Sequence, residues 1–413
     1  MKIIGLRALL LKNTGFQIMS QVISLGIGLV TAWVLSRYLG VEGFGQFNYI
    51  FAFFYFFLTL NDLGVNTIVV RSSSQEPDRA GEIIGAMLSF KLILSLISVV
   101  IAWTAIAWFD FPTNLRNSLF LYTLILPVIA LELPSAIFQV VLRLDYPSMI
   151  GMMNRVVGFL LLVGVVWMKR GLLGLTAAMV LAEVVYLLVL LKFSMMFVRP
   201  IFKVDFGIWK KILRSSITIG IAGIFVAINN RVNFIMLERM TNLRELGMYA
   251  AAYRVTSCFE AFPLMLMGTL YPVMCQYAIQ DTARLERLYR KSLLLIGLVG
   301  IPLGVMISVF SPLIVKTLFG VGFHGAEKSL RILVWSTVFM YLALTGGNLL
   351  ISIGKEKINL YIQIFAAMVH VGLNFLWIPR WGSVGAASSI ASAFFFIAVL
   401  TLICAERRLK YKV

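Results

Sequence analysis

The sequence predicts an all-α integral membrane protein with about twelve transmembrane helices, arranged in two pseudo-symmetric lobes of six. Hydrophobic residues make up 60% of the 413 residues and charged residues only 13%, whereas a soluble domain is about half apolar and a quarter charged. Apolar runs of about 20 residues, the length that crosses a bilayer, recur along the chain. The first half of the chain is also repeated in the second half, which predicts two related lobes.

The predicted spans are joined mostly by short connections. They cover approximately residues 14–35, 48–70, 83–108, 117–141, 152–168, 172–193, 215–237, 250–275, 291–316, 329–352, 359–378 and 384–404. In the fourth span Pro134 follows Glu132, and a proline removes a backbone donor and interrupts a helix. We therefore predict a kink there, with a free backbone carbonyl near a carboxylate.

The basic residues indicate the topology. The net charge is +18, which in a soluble protein would suggest nucleic-acid binding. Here about 23 Lys and Arg residues lie in the loops of one side and about 9 in those of the other, the bias that sets orientation in a membrane. Both termini are therefore predicted to be cytoplasmic, and no nucleic acid is expected as a partner.

A shift of about 200 residues reveals the internal repeat. It lays Arg37 on Arg239, and residues 45–49 on residues 247–251. A chain that repeats itself in this way is expected to form two lobes around a shared centre.

The repeat divides the chain into three predicted parts. They are an N-terminal lobe over residues 1–200, a cytoplasmic amphipathic linker over 201–214 and a C-terminal lobe over 215–413. Apolar and basic residues alternate in the linker, which is typical of a short helix in the membrane interface. The apolar residues of that pattern are Phe206, Trp209, Ile212 and Leu213.

The sequence contains no motif for reaction chemistry, so an enzyme is not predicted. It has no P-loop, no G-x-S-x-G sequence and no acidic metal motif. The three cysteines and two histidines stand singly, so no metal or other cofactor is expected. His370 lies in an apolar run, where a packed, hydrogen-bonded imidazole is expected. The predicted outer loops are also too short to hold a catalytic site.

Polar side chains at membrane depth are the candidate functional residues, because burying them is costly. The densest group lies in the seventh span, where an arginine stands among three asparagines. The candidates for substrate binding are Arg231, Lys91, Asn229, Asn230, Asn233, Gln17, Gln21 and Arg254. The candidates for ion coupling are Asp62, Glu132, Glu183 and Glu260.

For each of these residues a structural role is the open alternative. Lys91 and Asp62 lie in neighbouring predicted spans and would form an internal ion pair. Gln17 and Gln21 belong to a polar stripe on the first span, which either packs against another helix or lines a cavity. Structure alone rarely needs so many buried charges, so the set as a whole points to function.

Several ordered motifs resemble one family of membrane proteins. Arg37-Tyr-Leu-Gly40, Phe44-Gly45 and Asn61-Asp-Leu-Gly64 resemble the opening of Wzx-type polysaccharide and O-antigen flippases. The stretches Glu245–Arg254 and Gly382–Ala387 resemble later spans of the same family. That family lies in a superfamily with multidrug and lipid II exporters, and the resemblance covers nearly the whole chain.

The resemblance implies a fold and a cargo. Two six-helix lobes would be related by a pseudo-two-fold axis along the membrane normal, with a cavity that opens alternately to either side. The family's cargo is an oligosaccharide on undecaprenyl diphosphate, and a polysaccharide polymerase is an expected partner besides membrane lipids. Arginine suits a diphosphate because its planar fork binds two oxygens. We therefore expect Arg231, and next Lys91, to contact the diphosphate, with coupling to a proton or sodium gradient.

Two alternatives remain at this point. A multidrug exporter of the same superfamily would carry cationic cargo, which the four buried carboxylates would suit. A membrane glycosyltransferase or polysaccharide polymerase is a third hypothesis, against which the missing acidic motifs and the short outer loops argue.

Overall fold

The computed structural model is all-helical. It describes the backbone of residues 3–411 and the side chains of residues 16–409, except those of 17–18, 218–219, 222 and 268–269. The α-helices of this part are α1 Ile3–Asp62, α2 Val65–Gln75, α3 Ala80–Trp108, α4 Thr113–Thr123, α5 Ile125–Ala130, α6 Ile137–Val140, α7 Asp145–Trp167, α8 Gly171–Ser194, α9 Phe206–Met240, α10 Leu243–Ser257, α11 Ala261–Gln280, α12 Thr282–Phe319, α13 Ala326–Ser352 and α14 Glu356–Tyr411. Short 3₁₀ turns lie at Pro77–Arg79, Leu133–Ala136 and Val321–Phe323.

These helices account for twelve spans. By length and composition, eight helical stretches of the described part can cross a membrane, or nine if the bent segment from Thr113 to Val140 counts as one span. The first and the last of them each hold two spans, because Gly40 and Gly382 interrupt α1 and α14 with non-helical torsions. Helix α9 supplies the predicted seventh span, in which Asn and Arg lower the hydropathy. The predicted all-α fold with about twelve spans is confirmed.

Two spans of the first half are broken at membrane depth. Helix α1 ends at Asp62 and α2 begins at Val65, because Leu63 and Gly64 both have positive φ angles, of 42° and 74°. The fourth span bends by 47° where α5 gives way to a 3₁₀ turn that contains Pro134. The kink predicted from this proline is confirmed. Broken helices leave backbone groups unpaired at depth, and transporters use them to build binding sites.

Contacts divide the chain into two units. Unit 1 comprises Met1–Leu39 and Ile50–Ile224, and unit 2 comprises Gly40–Tyr49 and Phe225–Val413. A short segment of the first half of the sequence, residues 40–49, therefore belongs to unit 2. The three-part division into lobes and linker that the sequence suggests stays a prediction.

The linker packs on unit 1 through its backbone and its apolar side chains. The Ile201 amide donates a hydrogen bond to the Gly81 carbonyl at 2.9 Å, and the Trp209 indole donates to the Ala86 carbonyl at 2.7 Å. Ile212 is only 2% exposed. It lies in an apolar core with Trp209 and Leu213 packed against it. Phe206, by contrast, is 73% exposed. The predicted position of the linker in the membrane interface stays a prediction.

Unit 2 has its core among α11, α12, α13 and α14. Its largest fully buried side chains include four tyrosine and phenylalanine rings, Tyr249, Tyr289, Tyr341 and Phe323. The Tyr341 hydroxyl donates a hydrogen bond to the Phe259 carbonyl at 2.6 Å, which ties α13 to the break between α10 and α11. That break divides the eighth span of the chain at the level of Glu260.

Residues 40–49 cross the start of α10 at very short range within unit 2. A Cβ atom on Gly45 would meet the Leu243 carbonyl oxygen at 2.7 Å, and one on Gly247 would overlap the Val41 carbonyl oxygen. Only glycine allows two helical backbones to approach this closely.

Candidate functional site

Asn233 is the centre of a buried polar network in unit 2. Its side-chain amide donates to the Tyr249 hydroxyl at 2.8 Å and to the Ala386 carbonyl at 2.9 Å. Its side-chain oxygen accepts from Asn374 at 2.6 Å and lies 2.9 Å from Nε2 of His370. These partners come from α10 and α14, so the network ties three helices together. The predicted hydrogen-bonded packing of His370 is confirmed.

The network continues beyond Asn233. The Ser389 hydroxyl donates to Asn374 and to the Ala386 carbonyl. Asn233, Asn374 and Ser389 are each at most 1% exposed. Among the described residues, only Nδ1 of His370 has no hydrogen-bond partner in this network. A hydrogen-bonded network of this kind rigidifies a core. Both polar atoms of Asn233 are therefore already used inside unit 2.

Arg231 lies two residues before Asn233 and on a different face of α9. Its guanidinium carbon is 5.3 Å from the ring centroid of Tyr253 on α10. Glu260, in the turn between α10 and α11, interacts electrostatically with Arg231 and accepts a hydrogen bond from Tyr253. Arg231, Tyr253 and Glu260 thus form one half-buried charged group, which we name the Arg231 group.

Asn229 stands one turn before Asn233 on the same face of α9, since residues four apart share a face. It is 4% exposed. In the part of the chain that the structure describes, neither its side-chain oxygen nor its nitrogen has a hydrogen-bond partner. Buried amides are almost always hydrogen-bonded. Asn229 is therefore a buried polar side chain of unit 2 whose hydrogen bonds a ligand or water would supply.

The remaining unit 2 candidates have different surroundings. Asn230 and Arg254 are half-buried on α9 and α10. The Arg254 carbonyl accepts hydrogen bonds from Ser257 and from the thiol of Cys258, at the end of α10. The structure brings Arg231 and Glu260 together, and Asn229 lies beside Asn233 along the same helix.

The predicted charged residues of unit 1 also meet. Lys91 on α3 is 2% exposed, and its ammonium nitrogen lies 3.4 Å from the Asp62 carboxylate and 3.3 Å from the Asn66 side-chain oxygen. The internal ion pair predicted as the structural alternative is therefore present. It sits at the break between α1 and α2, where the backbone is irregular.

A pair of carboxyl groups lies next to this ion pair. Glu132, at the break of the fourth span, interacts electrostatically with Glu183 on α8 and with Lys91. One carboxylate oxygen of Glu132 has no hydrogen-bond partner among the described residues. The Asn154 side-chain amide donates to Glu183 at 3.4 Å. Two neighbouring carboxylates disfavour each other's ionised form, so this pair is suited to hold a proton.

Of the two candidate glutamines in the first span, the structure describes the side chain of Gln21 and not that of Gln17. The side chain of Gln17 lies outside the described residues. Gln21 is half-buried, and on the same stripe the hydroxyl of Ser20 donates to the Ser148 carbonyl on α7 at 3.2 Å. This contact favours helix packing for that part of the stripe.

Sequence reasoning missed most partners of these residues. Tyr249, Tyr253, Asn374 and Ser389 were not among the candidates, because each is a common residue type in an apolar or small-residue helix. Asn374 could have been found only from its place in a motif, since it lies 141 residues from Asn233. Among the described residues, no three His, Cys, Asp or Glu side chains are placed to hold a metal ion.

Comparison with known proteins identifies the family. The family model described as polysaccharide biosynthesis protein matches residues 10–278, and the MatE model matches residues 219–376. A Shigella flexneri protein provisionally named an O-antigen transporter is 20% identical over 402 residues, which cover 92% of this chain and 94% of that protein. An uncharacterized membrane protein of Methanocaldococcus jannaschii is 23% identical over 192 residues, and the match covers 45% of this chain and 37% of that protein.

Solved structures show the same fold. An inward-facing multidrug resistance MATE family transporter of the MOP superfamily superposes with a TM-score of 0.71 at 17% identity, over 94% of this chain and 98% of that one. A MOP superfamily transporter of Pyrococcus furiosus, whose binding pocket is described as having reversed polarity, gives a TM-score of 0.69 at 15% identity, over 97% and 96% of the two chains. The prediction that the protein is not an enzyme is confirmed. Because the first family model matches well over half of the chain, the chain belongs to the polysaccharide biosynthesis protein family.

Proposed function

We propose that this protein moves an undecaprenyl-diphosphate-linked oligosaccharide from the cytoplasmic to the outer leaflet of the bacterial cytoplasmic membrane by alternating access. The oligosaccharide would be the repeat unit of an O-antigen, a capsule or an exopolysaccharide. The observation that carries the proposal is the Arg231 group together with Asn229, which has no hydrogen-bond partner among the described residues. Both lie inside unit 2 of a chain from this family. The whole-length likeness to the Shigella flexneri protein supports the same cargo.

The chemistry of these side chains suits such a cargo. A guanidinium binds two phosphate oxygens in one plane, and it is less strongly hydrated than an ammonium group. The face of Tyr253 supports the guanidinium from one side through a cation–π contact. Asn229 offers two donors and an acceptor to sugar hydroxyls. Glu260 balances the arginine charge while no cargo is bound, and the diphosphate would displace it.

The other candidate residues have less direct roles in the proposed binding of cargo. Lys91 would reach a phosphate only after it releases Asp62, so it is the second cation and not the first. Asn233 would contact cargo only if its network opened. Asn230, Arg254, Gln17 and Gln21 are proposed as polar neighbours of the cargo path.

We further propose that a carboxyl group couples transport to a proton or sodium gradient. The neighbouring Glu132 and Glu183 favour a proton, because two like charges close together disfavour full ionisation. Asp62 and Glu260 are the other candidates. In sealed vesicles, export by Glu183→Gln should no longer respond to an imposed pH gradient, while Glu286→Gln, at an exposed pair with Arg290, should respond as the parent does. Transport that ignores both proton and sodium gradients in the parent would show that these carboxylates are structural.

The proposed topology follows from the basic residues. Both termini and the linker would face the cytoplasm, where the lipid-linked cargo is assembled, and a polysaccharide polymerase on the outer side would receive the product. Cysteine labelling from outside intact cells checks this orientation.

The decisive experiment is depletion of the protein followed by mass spectrometry of polyprenyl-linked intermediates. We expect an undecaprenyl-diphosphate oligosaccharide to accumulate, and its mass would identify the repeat unit. Complementation with Arg231→Ala should leave export about tenfold to hundredfold lower, as expected for the loss of charge-assisted hydrogen bonds, and Arg231→Lys should restore part of it.

Arg284→Ala is the matched control, because that arginine is 63% exposed and paired with Asp281. Normal export by Arg231→Ala would refute the assignment of the diphosphate contact. An unchanged lipid pool together with new sensitivity to cationic dyes would instead identify a multidrug exporter.

A further inference from the structure

A cavity of about 280 Å³ lies in unit 2 where α12 ends and α13 begins. Apolar side chains form one part of its wall and polar side chains the other. The lining includes Pro312, Leu313, Val315, Lys316, His324 and Glu327. Pockets that enclose drug-sized ligands measure about 300–1,000 Å³. This cavity therefore has room for the headgroup of a lipid and not for an oligosaccharide.

The cavity lies within a group of basic residues on the predicted outer side. Lys316, Lys328 and Arg331 belong to this group, although only about nine Lys and Arg residues are predicted on that side of the whole chain. Translocated loops normally carry few basic residues. All three side chains are exposed, and none of them pairs with a carboxylate in the described part of the chain. The group is therefore suited to an anion from outside the protein.

A buried hydroxyl orients the arginine of this group. Ser311 on α12 is fully buried, and its hydroxyl donates to the Ser308 carbonyl at 3.0 Å. The same hydroxyl accepts a hydrogen bond from Nε of Arg331 at 2.9 Å. Among the described residues, the two Nη groups of Arg331 have no partner. They are the fork with which an arginine binds two phosphate oxygens in one plane.

The position of Arg331 is that of a lipid headgroup. Arg331 is the sixth residue of α13, about 8 Å along the helix from its start. It lies one turn after Glu327 and on the same face of α13, so it adjoins the cavity. On the neighbouring stretch of α12, the apolar side chains of Val309, Phe310 and Leu313 are 63%, 51% and 60% exposed. Acyl chains would pack on this apolar surface while the cations hold the headgroup.

We propose that this cavity binds the phosphate of an anionic phospholipid in the outer leaflet. Arg331 and Lys316 bind the phosphate, and Lys328 adds to the positive potential. One oxygen of Glu327 accepts a hydrogen bond from the Gly325 amide at 2.8 Å, which leaves the other for a hydroxyl of the headgroup. Three cations against one carboxylate favour an anionic lipid over a zwitterionic one. The bound lipid would tie α12 to α13.

The leaflet follows from the predicted topology, whereas the site itself does not depend on the proposed cargo. Native mass spectrometry of the protein, purified in a detergent without phosphate, measures the binding. The probe is dioleoyl phosphatidylglycerol, and dioleoyl phosphatidylcholine is the zwitterionic comparison. We expect one phosphatidylglycerol to bind at least about tenfold more tightly than phosphatidylcholine, as charge-assisted hydrogen bonds to a phosphate allow. This preference should shrink as the salt concentration rises.

Three single variants and one double variant test the residues of the site. Arg331→Gln and Lys316→Gln should each weaken the binding of phosphatidylglycerol by about tenfold and leave that of phosphatidylcholine unchanged. Ser311→Ala keeps every charge and should weaken it by about threefold to tenfold, because the guanidinium is no longer oriented. In the Arg331→Gln background the same change should have no effect. A general disturbance of the fold would instead lower binding in both backgrounds.

Arg116→Gln is the matched control. This exposed arginine lies near the start of α4, also on the predicted outer side, and no other Lys or Arg lies within residues 92–142. Its replacement should not alter the affinity for phosphatidylglycerol. The lipid should also raise the thermal unfolding temperature of the parent and of Arg116→Gln, but not that of Arg331→Gln, because a ligand stabilises only the protein that binds it.

Several results would overturn the inference. They are equal affinities of the parent for the two phospholipids, and an affinity for phosphatidylglycerol that Arg331→Gln and Lys316→Gln leave unchanged. Displacement of bound phosphatidylglycerol by a tenfold lower concentration of undecaprenyl phosphate would overturn the assignment to a bulk phospholipid. If Arg331→Gln fails to fold, the exposed Lys316 and Lys328 decide the question as glutamine variants. Because no cargo is needed, failure of this test leaves the proposed function standing.

Discussion

Asn229 and Asn233 lie one turn apart on α9 and are buried to a similar extent, 4% and 1% exposed, yet replacing them by alanine should have opposite consequences. Asn233 takes part in four hydrogen bonds, to Tyr249, Ala386, His370 and Asn374. Asn229 has no hydrogen-bond partner among the described residues. The pair therefore separates a structural amide from a candidate binding amide within one helix.

The expected magnitudes follow from these bonds. Interhelical hydrogen bonds in a membrane protein contribute about 0.6 kcal/mol on average and about 1.7 at most, so the loss of four costs roughly 2–7 kcal/mol. Asn233→Ala should lower the free energy of unfolding by that amount, because it also leaves buried partners unpaired. Asn229→Ala removes a polar group without a hydrogen-bond partner among the described residues. The free energy of unfolding of this variant should therefore differ from that of the parent by about 1 kcal/mol or less in either direction.

Unfolding in mixed micelles with increasing denaturing detergent, followed by circular dichroism, measures the stability, and the lipid-linked intermediates measure export. We expect Asn229→Ala to be stable and impaired in export, whereas Asn233→Ala loses both. If Asn229→Ala is as unstable as Asn233→Ala, the amide of Asn229 has a structural partner and the binding argument fails. A stable Asn233→Ala would show that the network adds nothing to the fold.

Two further predictions concern unit 1. Asp62→Asn leaves the Lys91 ammonium buried without its carboxylate and should cost roughly 3–5 kcal/mol of unfolding free energy. Lys91→Met should cost less, because the Asp62 side chain is 36% exposed and that of Lys91 only 3%. Equal losses in the micelle assay would contradict this asymmetry. In the linker, the Ile208 backbone amide is the main cause that lowers the pKa of Asp205, with Lys203 and the Gly207 amide adding to it. Because the pKa of Asp205 is lower in the folded protein, its carboxylate stabilises the fold above the unfolded value of 3.8, and this stabilisation is lost as the pH falls through the folded pKa. Hydrogen-exchange protection of the Gly207 and Ile208 amides should therefore fall in that acidic range. Asp205→Asn should remove this dependence on pH, and an unchanged profile in that variant would show that another group titrates.

The sequence was informative where a feature depends on neighbouring residues. The span positions follow from local hydropathy, the kink of the fourth span from Pro134, and the pair of Lys91 with Asp62 from their depth in adjacent spans. Each of these needs only one helix or two consecutive helices. Such features can be predicted without knowing how distant segments of the chain are arranged.

Features that depend on distant segments were not predictable. The linker pattern of Trp209 and Ile212 fits a membrane surface and a protein surface equally well, and only the position of α3 decides between them. Asn233 appears as an unsatisfied polar residue until Asn374 is known to face it. Membership of residues 40–49 in unit 2 likewise depends on a contact with Gly247, about 200 residues away.

The reciprocal contact of Gly45 and Gly247 also bears on the origin of the chain. A contact of this symmetry is the kind that two identical subunits make across a dyad. A six-span precursor could therefore have formed it with a second copy of itself, using one glycine encoded once. Fusion of two such copies would free each glycine to vary independently, yet a bulky residue at either position would still disrupt both sides. Sequence divergence of the two halves is thus constrained jointly at this crossing. The seventh span shows no such constraint, because Asn229, Asn230 and Arg231 have no counterpart in the first span.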